Sequence, residues 1–288
     1  MGAWGIAALA GLIQGVVEWL PVSSKTMITL VFAAGGYSFG TGYVMGLLAN
    51  FGSFFAALWY FREDILGALS ALRHPLDGAP EARTLRYLVL ATVATGVVGL
   101  PIYMGVTAAF NVTRGAYVMV GIGILLLVTA AISRSRERIA HAQTTDAAAA
   151  DAGDGDGPPE APGPWTSLLV GACQGLAALP GISRSAVTVT PLLWLGRPAK
   201  SALRLSFLLD VLALLAAGAV PLVVGHHGLS AVGRFGAGPT VLMVAVSAVV
   251  SFLTIGAILQ VAARLRSSVI TAAIGVVMIA SAVVFYLH

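Results

Sequence analysis

Charge is scarce in this sequence. Only 10% of its 288 residues are Asp, Glu, Lys or Arg, 58% are hydrophobic, and the mean hydropathy is +0.92. A soluble domain carries about 25% charged residues, so the composition excludes an ordinary soluble fold and indicates a multi-pass membrane protein. Cysteine is nearly missing too. Cys173 stands alone, which excludes an internal disulfide and a metal site built on paired thiols. No Gly-rich loop ends in Lys and Ser or Thr, so a nucleotide cradle of that kind is not expected. The formal charge of +4 does not indicate nucleic acid, because Lys and Arg of a membrane protein collect in loops on one side. The opening residues lack a basic n-region, and Glu18 falls where a cleavage site would be. The N-terminal apolar stretch is therefore expected to belong to the mature protein.

Six apolar segments are long enough to span a bilayer, near residues 40–61, 85–106, 115–133, 199–224, 237–262 and 267–287. Two further apolar stretches, 3–35 and 165–195, are interrupted by "LPVSSK" and "LPGISRS". Proline removes a helix hydrogen bond. Broken segments at membrane depth need protein or a water-filled cavity to satisfy their backbone. Both stretches are therefore expected to be re-entrant helical hairpins. Residues 134–164, rich in Ala, Asp, Gly and Pro, are expected to form a disordered acidic linker between a first half, 1–133, and a second half, 165–288. "GLIQGVVEWLPVSSK" and "GACQGLAALPGISRS" share a Gln-Gly, a Pro and a Ser-rich turn. Gln14 and Gln174 are separated by the same length of chain as Ser23 and Ser183. Basic residues cluster at Arg62, Arg73, Arg83 and Arg86, at Arg134, Arg136 and Arg138, at Arg197 and Lys200, and at Arg264 and Arg266. With all four clusters cytoplasmic, the first hairpin enters from outside and the second from inside. The expected fold is thus all-α: a cell-membrane protein of six spans and two re-entrant hairpins in an inverted repeat, its site near the midplane.

Ionisable groups within such segments mark sites by default. The first hairpin supplies Glu18 and Lys25, the second Arg184, with Ser23, Ser24, Ser183, Ser185 and Thr188 around them. Gly181 opens a turn whose backbone N–H groups precede a helix, a ready anion site. Arg184 can grip a phosphate through two parallel hydrogen bonds. Cations and N–H donors beside one carboxylate suit phosphoryl chemistry. Glu18 would position the nucleophile, alone or through a divalent cation, Mg²⁺ or Ca²⁺. Gln14, Ser23, Lys25, Gly181, Ser185 and Thr188 are candidate substrate contacts, and Ser24 or Ser183 is the nucleophile or a phosphate ligand. Each residue also has a structural reading. Glu18 could pair with Lys25 or Arg184, Ser185 and Thr188 could bond back to their helix, and Asn50 and Ser53 read as small polar packing residues or as phosphate ligands. Asp210 lies inside a span, a short way after Arg204 in the chain. A buried pair with another helix and a substrate role are equally open for it. His226 and His227 are adjacent, without further ligands. Trp4, Trp19, Trp59 and Trp165 suit membrane interfaces.

These residues carry a resemblance. Gln14, Glu18, Pro21, Ser23 and Ser24 resemble the first motif, and Pro180, Gly181, Ser183, Arg184, Ser185 and Thr188 the second, of the undecaprenyl-diphosphatase family associated with bacitracin resistance. "NFGSFFAALWYFR" and "SFLLDVLALLAAGA" resemble further family segments. The resemblance implies six spanning helices with two re-entrant pairs, an opening on the external face, and dephosphorylation of undecaprenyl or a related polyprenyl diphosphate to the monophosphate. That activity would recycle the lipid carrier for cell-envelope glycans. The partners expected are the lipid, the membrane and a second copy of the chain. The family continues Ser-Ser-x-Gly-His, and its histidine has been assigned a catalytic role; this sequence has Thr26 and Met27 there. Methionine moves no protons. Either Glu18 and a serine carry the chemistry, or activity is weak, or the protein binds polyprenyl phosphates without cleaving them. The last reading makes it a transporter or flippase for a lipid phosphate.

Overall fold

The computed structural model describes residues 2–20, 22–112, 115–150, 160–224, 227–261 and 267–287. Among these residues the chain forms twelve α-helices and no strand. The order is α1 (Ala3–Val17), α2 (Ser24–Ala34), α3 (Phe39–Tyr60), α4 (Arg62–Ser70), α5 (Pro80–Val112), α6 (Gly115–Ala150), α7 (Pro164–Leu176), α8 (Arg184–Trp194), α9 (Ala199–Val223), α10 (His227–Phe235), α11 (Ala237–Val261) and α12 (Ser267–Leu287). All-α architecture is what a bilayer demands, since a helix satisfies its own backbone. Among the described residues four helices are long and apolar enough to cross: Phe39–Tyr60, Pro80–Phe110, Ala199–Val223 and Ala237–Ala257. The other two expected spans fall on α6 and α12, whose side chains are described only in part. Helix α6 runs to Ala150, so the expected linker is helical over its first portion; residues 151–159 lie outside the described residues, as do Arg264 and Arg266.

Helix α3 is the inner helix. Its most apolar stretch is 78% buried, against 17% for α5 and 22% for α11, whose exposed Val93, Val97, Val249 and Leu253 form an apolar outer surface. One core gathers Trp19, Phe61, Tyr87, Leu192 and Phe207. A second gathers Ile6, Ile28, Phe32, Tyr43 and Phe235. Along α3 the second core reaches Ala49 and the first resumes at Ala56, leaving the buried polar residues Asn50 and Ser53 between them. Trp19 corrects the interfacial expectation. It is fully buried and its ring lies 5.8 Å from that of Phe207, whereas Trp4, Trp59 and Trp165 are exposed.

The two broken stretches are built alike. The starts of α2 and α8, Ser24 and Arg184, are as far apart in the chain as the starts of α3 and α9, Phe39 and Ala199. Both α2 and α8 close through a left-handed glycine, Gly36 (φ +86°) and Gly196 (φ +79°). In each the following amide turns back to the last turn of the helix, Tyr37 N to Phe32 O and Arg197 N to Leu192 O, both 3.0 Å. Small residues let the preceding helices pack backbone to backbone. Gly11 and Gly15 of α1 meet Met243 and Val250 of α11, while Gly171 and Gly175 of α7 meet Ala91 and Val98 of α5.

The basic segments converge at one end. Arg83 pairs with Glu160, whose carbonyl accepts from Arg197 Nη1 at 2.7 Å. Trp194 Nε1 donates to Ser135 Oγ at 3.3 Å, and the Ser268 amide donates to Glu137 at 2.9 Å. The exit of α8 lies at this end. The exit of α2 lies elsewhere, where Tyr37 packs against Phe235.

Candidate active site

Each break ends a helix and begins another, and the two meet. Glu18 is the C-terminal cap residue of α1, Ser23 precedes α2, and Ser183 precedes α8. Neither serine caps its helix through its side chain. Ser23 Oγ accepts instead from Thr26 Oγ1 at 2.9 Å, and Ser183 Oγ lies 3.3 Å from Ser185 Oγ. Two helix N-termini are therefore left without side-chain caps, and their first-turn N–H groups are free of that competition for an anion.

The second break is fixed by α6. Thr129 Oγ1 donates to the Gly181 carbonyl at 2.7 Å and accepts from the Ser183 amide at 3.3 Å. Gly181 has φ +99°, and a Cβ there would lie 2.7 Å from Leu125 Cβ and 2.8 Å from Ile122 O. Only glycine tolerates both the dihedral and the approach. The hairpins then lock reciprocally. Lys25 Nζ donates to the carbonyl of Ala177, the cap of α7, at 2.5 Å. Arg184 Nη2 reaches the carbonyl of Glu18, the cap of α1, at 3.4 Å. Each cation thus faces the negative end of the other hairpin's helix. Ser185 Oγ donates to Leu20 O at 3.1 Å, and Tyr43 OH to Ala178 O at 2.7 Å.

At the junction lies a small polar cleft lined by Glu18, Val22, Ser23, Ser24, Lys25, Ile182, Ser183, Arg184 and Ser185. Arg184 stands between two carboxylates. Nη2 lies 3.0 Å from Glu18 Oε1, and Nη1 pairs with Asp210 of α9. Ser24 Oγ donates a hydrogen bond to Glu18 Oε2. Gln14 Nε2 donates to the same oxygen at 2.7 Å, to Asn50 Oδ1 at 2.8 Å and to Ser53 Oγ at 3.3 Å. Glu18 is thereby held by three side chains and aimed at a serine hydroxyl. The arrangement can accept a proton at Glu18, hold an anion at Arg184 and the two helix starts, and present Ser24 Oγ as a nucleophile.

The sequence-derived candidates separate into two groups. Glu18, Ser23, Ser24, Lys25, Ser183, Arg184 and Ser185 line the cleft. Gln14, Gly181 and Thr188 stand behind it. Thr188 bonds back to Arg184 O at 2.9 Å and lies 2.5 Å from Ser206 Oγ of α9. Met27 lies on α2, partly buried, and is not among the residues lining the cleft. Asp210 takes a buried pair with another helix. Arg204, the nearer arginine in sequence, pairs instead with Asp64 at 3.1 Å. Thr129 and Tyr43 carry no sequence signal beyond being polar or aromatic in apolar spans. His227 begins α10; Pro21, His226 and His288 lie outside the described residues. Among the described residues no three His, Cys, Asp or Glu side chains cluster for a metal ion. Both oxygens of Glu18 already accept from Arg184, Ser24 and Gln14.

Residues 7–279 match the family described as bacitracin resistance protein BacA. The chain is similar to proteins named undecaprenyl-diphosphatase in three archaea. It is 35% identical to that of Haloarcula marismortui over 259 residues, 88% of each chain. It is 31% identical to that of Saccharolobus solfataricus over 280 residues, 96% of this chain and 95% of the relative. It is 33% identical to that of Pyrobaculum aerophilum over 282 residues, 96% of each.

Proposed function

Because the chain belongs to the family of the bacitracin resistance protein BacA, we propose that it is an undecaprenyl-diphosphatase of the cell membrane, hydrolysing the lipid diphosphate to undecaprenyl phosphate and inorganic phosphate. One observation carries the chemistry: Ser24 donates to a carboxylate, Glu18, whose other oxygen faces Arg184 across a polar cleft. In this reading Ser24 Oγ attacks the terminal phosphorus as Glu18 takes its proton. The bond between that phosphorus and the bridging oxygen breaks, and undecaprenyl phosphate leaves with the proton that Glu18 took up, which restores the carboxylate. Water then releases phosphate from Ser24, with Glu18 again as base. Arg184, Ser183, Ser185 and the first-turn amides of α2 and α8 hold the charge that develops on the phosphoryl oxygens. Gln14 orients Glu18, and Gly181 and Thr188 shape the turn that carries Arg184. Met27 carries no titratable group, so acid–base work falls to Glu18. A divalent cation, Mg²⁺ or Ca²⁺, would have to displace one of the donors on Glu18, and would then offset phosphate charge.

The architecture in this reading is an inverted repeat of six spans and two re-entrant hairpins. Its support is the constant sequence offset between α2–α3 and α8–α9, the matched glycine contacts, and the exits of α2 and α8 at different ends. The basic end would be cytoplasmic and the cleft open outward, with the prenyl tail in lipid between helices. The names of the relatives favour hydrolysis over transport. The test is the lipid product. Purified protein should convert undecaprenyl diphosphate to the monophosphate by mass spectrometry, and Ser24→Ala should lose at least about a hundredfold in rate. Full turnover by Ser24→Ala would remove the serine from the chemistry.

A further inference from the structure

Asp210 is not among the residues lining the cleft, yet it is fully buried in a span and meets a side chain that does line it. Its place in the repeat tells what it is for. It follows Asn50 at the same offset at which Arg184 follows Ser24, and the two sit on the matched central helices α9 and α3. Each faces a polar side chain of one hairpin. Asn50 Oδ1 accepts from Gln14, which in turn donates to Glu18. Asp210 pairs directly with Arg184. One arm is neutral and the other is ionic.

The ionic arm sets the charge of the site. Glu18 and Asp210 are two negative groups; Arg184 and Lys25 are two positive ones, and Lys25 is already engaged by Ala177 O. Without Asp210 the cleft would present one excess positive charge to a phosphate anion. Such a site binds its substrate more tightly, and it binds the released phosphate more tightly as well. Uniform binding of that kind does not speed turnover. Asp210 also fixes Nη1, which leaves Nη2 directed at Glu18 and the cleft.

Resting on the phosphatase reading of this site, we propose that Asp210 is a positioning residue that anchors Arg184 and offsets its charge, so that the cleft holds the lipid diphosphate without trapping phosphate. The test uses methylenediphosphonate, a diphosphate that is not hydrolysed, titrated calorimetrically into the full-length protein. Asp210→Asn keeps the shape and one acceptor oxygen but removes the charge. It should bind the probe about tenfold more tightly or better, with both KM and kcat reduced. Asp210→Glu keeps the charge and should bind within about twofold of wild type. Ser206→Ala loosens the neighbouring contact between α9 and α8 without touching charge, and should leave the affinity unchanged.

A purely structural pair gives a different pattern: a lower thermal midpoint in Asp210→Asn with unchanged affinity. That result overturns the proposal. Where Asn is not accommodated, Asp210→Ser makes the same loss of charge. Failure of both to fold, with a folded Asp210→Glu, also overturns it. A wild type that binds the probe but releases no phosphate from the lipid refutes the phosphatase reading while the affinity comparison still stands. A wild type that does neither overturns both.

Discussion

Arg184→Lys keeps the charge of the site and changes only its shape. In the wild type the guanidinium spans two carboxylates, Nη1 on Asp210 and Nη2 on Glu18 Oε1 at 3.0 Å, with the Glu18 carbonyl at 3.4 Å. A lysine ammonium is a single point and cannot hold both partners while also facing a phosphate. One charge-assisted contact of a buried site is lost, and removing one such donor from a developing oxyanion costs about 3–4 kcal/mol. The expected fall in kcat is therefore on the order of a hundredfold or more. KM should move far less, because the overall attraction for an anion survives. The thermal midpoint should fall by a few degrees, since one buried carboxylate loses direct contact with the cation while the charge stays in the site. The assay is phosphate release from undecaprenyl diphosphate in detergent, with full Michaelis curves and a melting scan of the same preparation. A kcat within about threefold of wild type would refute the role given to the planar fork, and Arg184 would be a structural clamp.

Three other changes test separate parts of the account. Glu18→Gln keeps acceptors for Ser24 and Gln14 but removes the base, so turnover should fall at least about a hundredfold with the fold retained; unchanged turnover with a shifted melting point would identify a structural ion pair. Lys25→Met takes a cation from the cleft and leaves the buried carbonyl of Ala177 without its 2.5 Å donor. KM should rise and stability should fall by about 1–3 kcal/mol, read as a lower midpoint that Lys25→Arg largely restores. Gly171→Ala would place a methyl 2.2 Å from Ala91 O and 2.6 Å from Ala91 Cα, both backbone atoms that cannot swing aside. It should destabilise by about 1–3 kcal/mol, whereas Gly163→Ala, with nothing within 4 Å, should leave the melting curve unchanged.

Much of this site was legible because the sequence breaks its own rule there. Serine clusters, proline and ionisable groups interrupt apolar runs at Glu18–Lys25 and Pro180–Ser185, and in a membrane protein such interruptions need a reason. The repeat offset showed at Gln14 and Gln174, and the structure extends it to Gly11 and Gly171, Gly36 and Gly196, and Asn50 and Asp210. What could not be read was pairing across helices. Asp210 is far from Arg184 along the chain and close to Arg204, yet side-chain direction on the helices sends Arg204 to Asp64. Thr129, which fixes the Gly181 turn, is one threonine in an apolar span, and periodicity gives it no distinction. Trp19 looked interfacial by type, but its place within the break turns it into the core beside Phe207. The length of α6 was hidden because the Ala-rich composition of 140–150 suits a helix as readily as a solvated linker.

Hydrolysis itself is tested most directly by phosphate release from undecaprenyl diphosphate by the purified wild-type chain, measured with a chelator, with Mg²⁺ and with Ca²⁺. One inorganic phosphate is expected for each undecaprenyl phosphate formed, in at least one of these conditions. Lipid binding without phosphate release in any of them would contradict hydrolysis and leave a carrier of lipid phosphates in its place.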